Sequence, residues 1–239
     1  MDLARFSPQQ CAAITAPEGP LSILAGPGSG KTTTLAGRIA YLVAERCVPP
    51  TSILAITFTT AAAATLRRQL QAVLGGTAAA QVDIRTFHSF GLRVIRTWTE
   101  ELGFGQAPPA VYGRDDARAV LREAARDIGL ADAPERQTAH QLDAWAISLA
   151  HLDHAVERYR LRYCGAGDAA KVVDSDDEVL DPAALADVSE AYERRLRSYA
   201  AVDYAGMLTM PLHLLETNPR ALQVLQDSYR WVVRCVTLH

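Results

Sequence analysis

The chain has 239 residues, 49% of them hydrophobic and 21% charged, an ordinary globular composition that excludes a disordered or fibrous protein. This length holds one large domain, or one domain with a smaller one inserted. The formal net charge of -3 does not mark the whole chain as a nucleic-acid binder.

Charge is unevenly spread. Residues 1–104 carry nine Lys/Arg against six Asp/Glu, and residues 105–239 carry fifteen against twenty-one. The front is therefore the part suited to meeting phosphates, although a solvated scatter of charge explains it equally well. Cys11, Cys47, Cys164 and Cys235 form no CxxC pair, which predicts reduced thiols in a cytoplasmic protein. His151 and His154 stand one helical turn apart, but no Cys or carboxylate cluster completes a metal site. Met1 to Arg5 lacks the basic-then-apolar order of a signal peptide. No apolar run approaches the ~20 residues that span a bilayer, so no membrane partner is expected.

In chain order, Leu21–Leu24 (LSIL) predicts a buried strand that feeds a Gly-rich turn. From Lys31, the spacing of Leu35, Ile39, Leu42 and Val43 predicts a helix with one apolar face, ended by Pro49-Pro50. Ile53–Phe58 predicts a strand, and Ala61–Leu74 a helix stopped at Gly75-Gly76. Val82–Thr86 predicts a third strand and Ser89–Leu102 a third helix. Strand and helix in alternation imply a parallel sheet covered by helices.

Gly103–Pro109 is then a linker. Arg114 to about Ala201 is nearly all helical, with an acidic loop at Asp174–Asp181 and Pro182 suited to a helix N1 position. Trp231–Val236 predicts a last strand. The fold class expected is α/β, a P-loop parallel sheet domain interrupted by an all-helical subdomain. Its boundaries are 1–106 for the first part of the sheet domain, 107–200 for the insert and 201–239 for an incomplete return.

Residues 25–32, AGPGSGKT, carry the strongest chemical signal. They fit the phosphate-loop pattern GxxxxGK[ST], with Ala25 in place of the first Gly. Gly26, Gly28 and Gly30 allow the backbone to curl so that its N–H groups face phosphate oxygens. Pro27 and Ser29 complete the loop, and the helix begun at Lys31 adds its positive end. The Lys31 ammonium suits the β- and γ-phosphates, and the Thr32 hydroxyl suits Mg²⁺. Lysine usage supports this, since Lys31 and Lys171 are the only lysines among 24 basic residues. A slender point charge fits that role better than a planar guanidinium.

Four flanking segments resemble a family. Phe6-Ser7-Pro8-Gln9-Gln10 resembles the Q motif of superfamily 1 DNA helicases of the UvrD/Rep/PcrA type. Ile56–Thr59 with Ala62–Ala64 resembles motif Ia, and Arg85–Phe90 (RTFHSF) resembles motif Ib. Val202-Asp203-Tyr204 with Leu208 resembles the segment by which such chains re-enter the first RecA-like domain.

The resemblance implies a RecA-like domain that binds ATP with Mg²⁺. Gln10 would grip the adenine edge, and Thr33 would follow the loop where relatives often carry Arg. It implies single-stranded DNA along Thr57, Phe58, Thr59, Arg67, Thr86, Phe87 and His88, with the aromatics stacking and the polar groups on the backbone. Thr60-Ala61 stand where the family places Asn-Lys, a departure that bears on DNA contact.

The family's next motif is a strand ending in Asp-Glu. Tyr229–Val233 begins that strand and Arg234-Cys235 follows instead. The sequence therefore predicts a portion truncated at the Walker B strand, with Lys31 and Thr32 as its catalytic-type residues, and without unwinding activity alone. The alternative is a non-catalytic, nucleotide-dependent module that binds DNA or a helicase partner subunit.

Overall fold

The computed structural model describes residues 3–26, 28–129, 152–161 and 182–234. Pro27, His151, Cys164, the acidic stretch Asp174–Asp181 and everything after residue 234 lie outside the described residues. The chain divides into two compact units, residues 1–90 with 222–239, and residues 91–221.

In the first unit, helix α1 (Pro8–Thr15) starts at a capping box. Ser7 accepts from the Gln10 N–H, the Gln10 side chain accepts from the Ser7 N–H, and Pro8 occupies the first turn, where its missing N–H costs nothing. Helix α2 (Lys31–Ala44) buries the stripe that the sequence predicts, including Ala36, Ile39 and Leu42. Strand β1 (Ile53–Thr57) is buried along its whole length, as the centre of a covered parallel sheet must be. Helix α3 (Thr60–Leu74) follows, and Gly75 at φ +78 ends it. A short helix α4 (Gly76–Gln81) begins at the second glycine of the pair that the sequence predicts as a helix stop.

Strand β2 (Asp83–Thr86) leads into helix α5 (Phe87–Thr97), shorter than the helix predicted to Leu102. Thr86 and Ser89 exchange backbone and hydroxyl hydrogen bonds at 2.9–3.2 Å around this helix start. The last described strand of this unit, which returns to the sheet, covers Trp231–Arg234.

The sheet is three-stranded and parallel. β1 lies in the middle, between β2 and the Trp231–Arg234 strand, with Leu54 opposite both Asp83 and Val232. Ile39, Leu42, Ile53, Leu66, Leu70 and Ile84 form the core between sheet and helices.

Leu21–Leu24 departs from expectation. It forms no strand, and Leu24 is 77% exposed with Leu21 at 46%. An apolar cleft of about 570 Å³ lies between Leu21–Ile23 and Trp231–Arg234. Without a ladder to that edge, the segment's backbone and side chains stay in solvent.

In the second unit, strand β3 (Ala110–Val111) pairs in parallel with strand β4 (Ala201–Val202). The helices between them therefore leave and return through one short ladder. Helix α6 (Arg114–Asp127), a helix at 152–161 (α7) and helix α8 (Pro182–Ser198) bury Val120, Leu121, Val156, Val188 and Leu196 against one another. Pro182 holds the first helical position of α8, as predicted. Arg195 of α8 donates a bidentate pair of 2.7 Å bonds to Asp127 of α6, and these bonds hold the Asp127 carboxyl below its ordinary pKa.

Helix α9 (Gly206–Thr217) and helix α10 (Pro219–Ser228) follow β4, and the Trp231–Arg234 strand is β5. Asp203 sits at the start of α9 and accepts the Gly206 N–H at 2.8 Å. The same carboxylate accepts from Arg160 of α7 at 2.6 Å and from the Tyr192 hydroxyl of α8 at 3.0 Å. Burial pushes the Tyr192 phenol well above its ordinary pKa, and the Asp203 charge adds to this. Sequence reading names Asp203 only as part of a re-entry segment. The structure makes it the joint of three helices.

Candidate nucleotide-binding site

The candidate residues of the first unit sit at helix starts: the loop before α2, and the turns by which β1 and β2 give way to α3 and α5. Gly28 and Gly30 hold φ of +74 and +81, a left-handed conformation open to glycine at no steric cost. Gly30 is the N-cap of α2, and no side chain caps that helix. The first-turn N–H groups of α2 are thus presented by backbone geometry alone, the standard arrangement for meeting an anion.

Lys31 opens the helix and turns its ammonium back over the loop. It donates to the Ala25 carbonyl at 3.0 Å and the Gly26 carbonyl at 2.8 Å. Ser29 also closes onto Gly26, its hydroxyl donating at 2.7 Å. Thr32 is half-buried and follows Lys31 on the first turn of α2. Thr33 is exposed, and its hydroxyl accepts from Gln69 of α3 at 3.4 Å.

Gln10 reaches this loop from α1. Its Nε2 donates to the Ser29 carbonyl at 3.1 Å, while its Oε1 accepts the Ser7 N–H at 3.0 Å. A glutamine amide offers two donors and two acceptor positions, so one of each remains. Gly30 is fitted against the same amide, because a Cβ at position 30 would lie 2.9 Å from Gln10 Nε2. Replacing Gly30 with Ala therefore meets both the positive φ and this contact. The expected result is a loss of folding stability of about 1–2 kcal/mol, the size of a left-handed penalty, measured by urea denaturation.

The two segments that the resemblance links to DNA lie at the carboxyl ends of neighbouring strands, because Thr57 and Thr86 are register partners on β1 and β2. Thr57 is 2% exposed and donates to the Thr59 carbonyl at 3.1 Å, while the Thr59 hydroxyl caps α3 by accepting from the Ala62 N–H. Phe58 projects between them at 76% exposure. Phe87 and His88 are half-buried in the first turn of α5. Arg67 donates to the Ile84 carbonyl at 3.1 Å and so ties α3 to β2.

Sequence reading missed two residues of this unit. Arg38 sits on the buried stripe of α2 and makes three backbone contacts. The available signal was an arginine three residues from Leu35 and four from Leu42, in line with core positions. Tyr229 donates to the Asp83 carboxylate and meets the Phe90 ring edge-on at 6.1 Å. No signal in the local pattern marks that pairing. Among the described residues there is no cluster of His, Cys, Asp and Glu able to hold a metal. None of the described helices is long and apolar enough to cross a membrane.

Residues 6–233 match the family described as the UvrD/REP helicase N-terminal domain. The chain is 32% identical over 228 residues to the ATP-dependent DNA helicase UvrD1 of Mycobacterium leprae (strain TN), covering 95% of this chain and 28% of that protein. The UvrD1 helicase of Mycobacterium tuberculosis (strain ATCC 25618 / H37Rv) gives the same identity and coverage. The ATP-dependent DNA helicase PcrA of Staphylococcus aureus (strain Mu50 / ATCC 700699) is 27% identical over 230 residues, 96% of this chain and 29% of that protein. The chain thus spans less than a third of the length of these relatives.

Proposed function

The chain belongs to the UvrD/REP helicase N-terminal domain family, and on that premise we propose that it is the ATP-binding portion of an ATP-dependent DNA helicase, with a track for single-stranded DNA. In this proposal the sheet unit is RecA-like, the helices after residue 106 are its insert, and the 239 residues bind rather than unwind on their own. The carrying observation is the loop itself. Two left-handed glycines, a helix start without a side-chain cap and the Lys31 ammonium converge on one spot.

The residues present fit a magnesium nucleotide. The N–H groups from Gly28 to Thr32 and the Lys31 ammonium would hold the phosphates, and the Thr32 hydroxyl would take a place on Mg²⁺. Lys31 would exchange its two carbonyls for phosphate oxygens, which are stronger acceptors. The donor and acceptor left on Gln10 match the N6 and N7 pattern of an adenine edge. A bound nucleotide would supply binding free energy, and in a complete motor the phosphoanhydride that is cleaved.

For DNA, exposed Phe58 offers a stacking face, while Thr59, Thr86 and His88 offer polar contacts to the strand. Arg67 is spoken for by Ile84 in this structure, so its phosphate contact would require a second donor nitrogen.

Calorimetric titration with MgATP, and separately with a labelled single strand, tests the proposal. The expected result is saturable ATP binding and DNA affinity that falls as salt rises. Absence of saturable ATP binding overturns it.

A further inference from the structure

We propose that Arg38 is a positioning residue for the nucleotide base, acting through α1 and Gln10; this rests on the ATP-binding reading above. Arg38 lies seven residues after Lys31, about 10 Å along the same helix. It is 6% exposed. Its Nη1 donates to the Ile14 carbonyl at 2.8 Å and the Ala16 carbonyl at 2.5 Å, and its Nη2 donates to the Pro17 carbonyl at 3.2 Å. These carbonyls end α1 and begin the segment that leads to the phosphate loop. Helix ends leave such carbonyls without intrahelical partners, and a cation there is favoured by the helix dipole. The guanidinium also lies over the Trp231 ring of β5, 5.7 Å from its centroid.

Helix α1 is therefore fastened at one end to the loop before α2 and at the other to α2 itself. Gln10 joins its first turn to Ser29, just before α2. Arg38 joins its last turn to α2 two turns further on. Between them, Gly37 leaves room for Ile14 and Phe6, since a Cβ there would lie 2.7 Å from Ile14 Cδ1 and 3.1 Å from Phe6 Cζ. The position of the Gln10 amide over the loop is thus set by a lever whose far end Arg38 holds. Among the described residues the loop meets α1 through Gln10, at Ser29 and Gly30, while the Lys31 ammonium is held by the Ala25 and Gly26 carbonyls of the loop itself. On this reading α1 carries the group that meets the base, and the loop with Lys31 carries the groups that meet the phosphates.

This separation gives the test. ATP and inorganic tripolyphosphate, each with Mg²⁺, are titrated into the parent chain, Arg38→Ala, Arg38→Lys and Gln10→Ala. In Arg38→Ala, ATP affinity should fall about tenfold, the worth of the base's hydrogen-bond pair, while tripolyphosphate affinity stays within about twofold. Adding Gln10→Ala to Arg38→Ala should then cost little more, because both act on one contact.

Arg38→Lys keeps the charge and packing stem but cannot span three carbonyls. It should lower the ATP-to-tripolyphosphate ratio in the same direction, and it serves where the alanine variant does not fold. Parallel loss of both ligands in the folded variants, or an unchanged ratio in Arg38→Lys, overturns the positioning role. A parent chain that binds neither ligand, or a Lys31→Ala variant that binds both normally, overturns the ATP reading instead.

Discussion

Lys31→Ala should lower MgATP affinity by about a hundredfold while leaving the melting temperature close to that of the parent. Losing the ammonium removes charge-assisted hydrogen bonds worth about 1.5–3 kcal/mol each. The small effect on folding follows from where Lys31 sits. Among the described residues its ammonium hydrogen-bonds to the Ala25 and Gly26 carbonyls, both in an exposed loop. Lys31→Arg should not restore binding, because a planar fork replaces a point charge in a space shaped by backbone. Titration calorimetry with thermal melts of the three proteins reads both quantities. Unchanged ATP affinity in Lys31→Ala removes the phosphate assignment.

Gly91→Ala should destabilise the second unit by on the order of 4 kcal/mol, beyond ordinary overpacking. A Cβ on Gly91 of α5 would lie 1.8 Å from the Met207 carbonyl oxygen of α9. Backbone cannot step aside as a flexible side chain can. The contact has a cause in the sequence. Pro211 stands inside α9 and lacks the N–H that would bond the carbonyl four residues earlier. That carbonyl belongs to Met207, and a glycine on the neighbouring helix lets the two backbones meet there. Gly76→Ala is the control, since a Cβ at Gly76 meets nothing within 4 Å. Urea denaturation should show a large loss for Gly91→Ala and none for Gly76→Ala. A cost under about 1 kcal/mol for Gly91→Ala, within the tolerance of ordinary core swaps, contradicts this helix contact.

Local patterns in the sequence predict much of this fold. The apolar stripe of α2, the buried run of β1 and the glycine stop after α3 follow from spacing and residue type alone. The candidate phosphate loop is read from the sequence for the same reason, since its glycines, Lys31 and Thr32 stand within eight consecutive residues. What is not legible depends on partners far apart in sequence. Arg38 meets carbonyls 21–24 residues earlier, and Arg160 meets Asp203 43 residues later. Nothing within a helical window says which distant acceptor an arginine takes. Leu21–Leu24 shows the converse. Its composition is that of a strand, but strand formation needs a paired edge, and the apolar cleft separates it from β5. Helix α4 was obscured by Gly75-Gly76, where the first glycine ends one helix and the second starts another.

Nucleotide phosphates held by the loop and the start of α2 would leave a mark in amide hydrogen exchange compared with and without saturating MgATP. The amides of Gly28, Ser29, Gly30, Lys31 and Thr32 should slow on addition of ATP, with a smaller effect in α1 near Gln10. ATP binding that leaves these five amides unchanged and protects another region would contradict this placement of the phosphates.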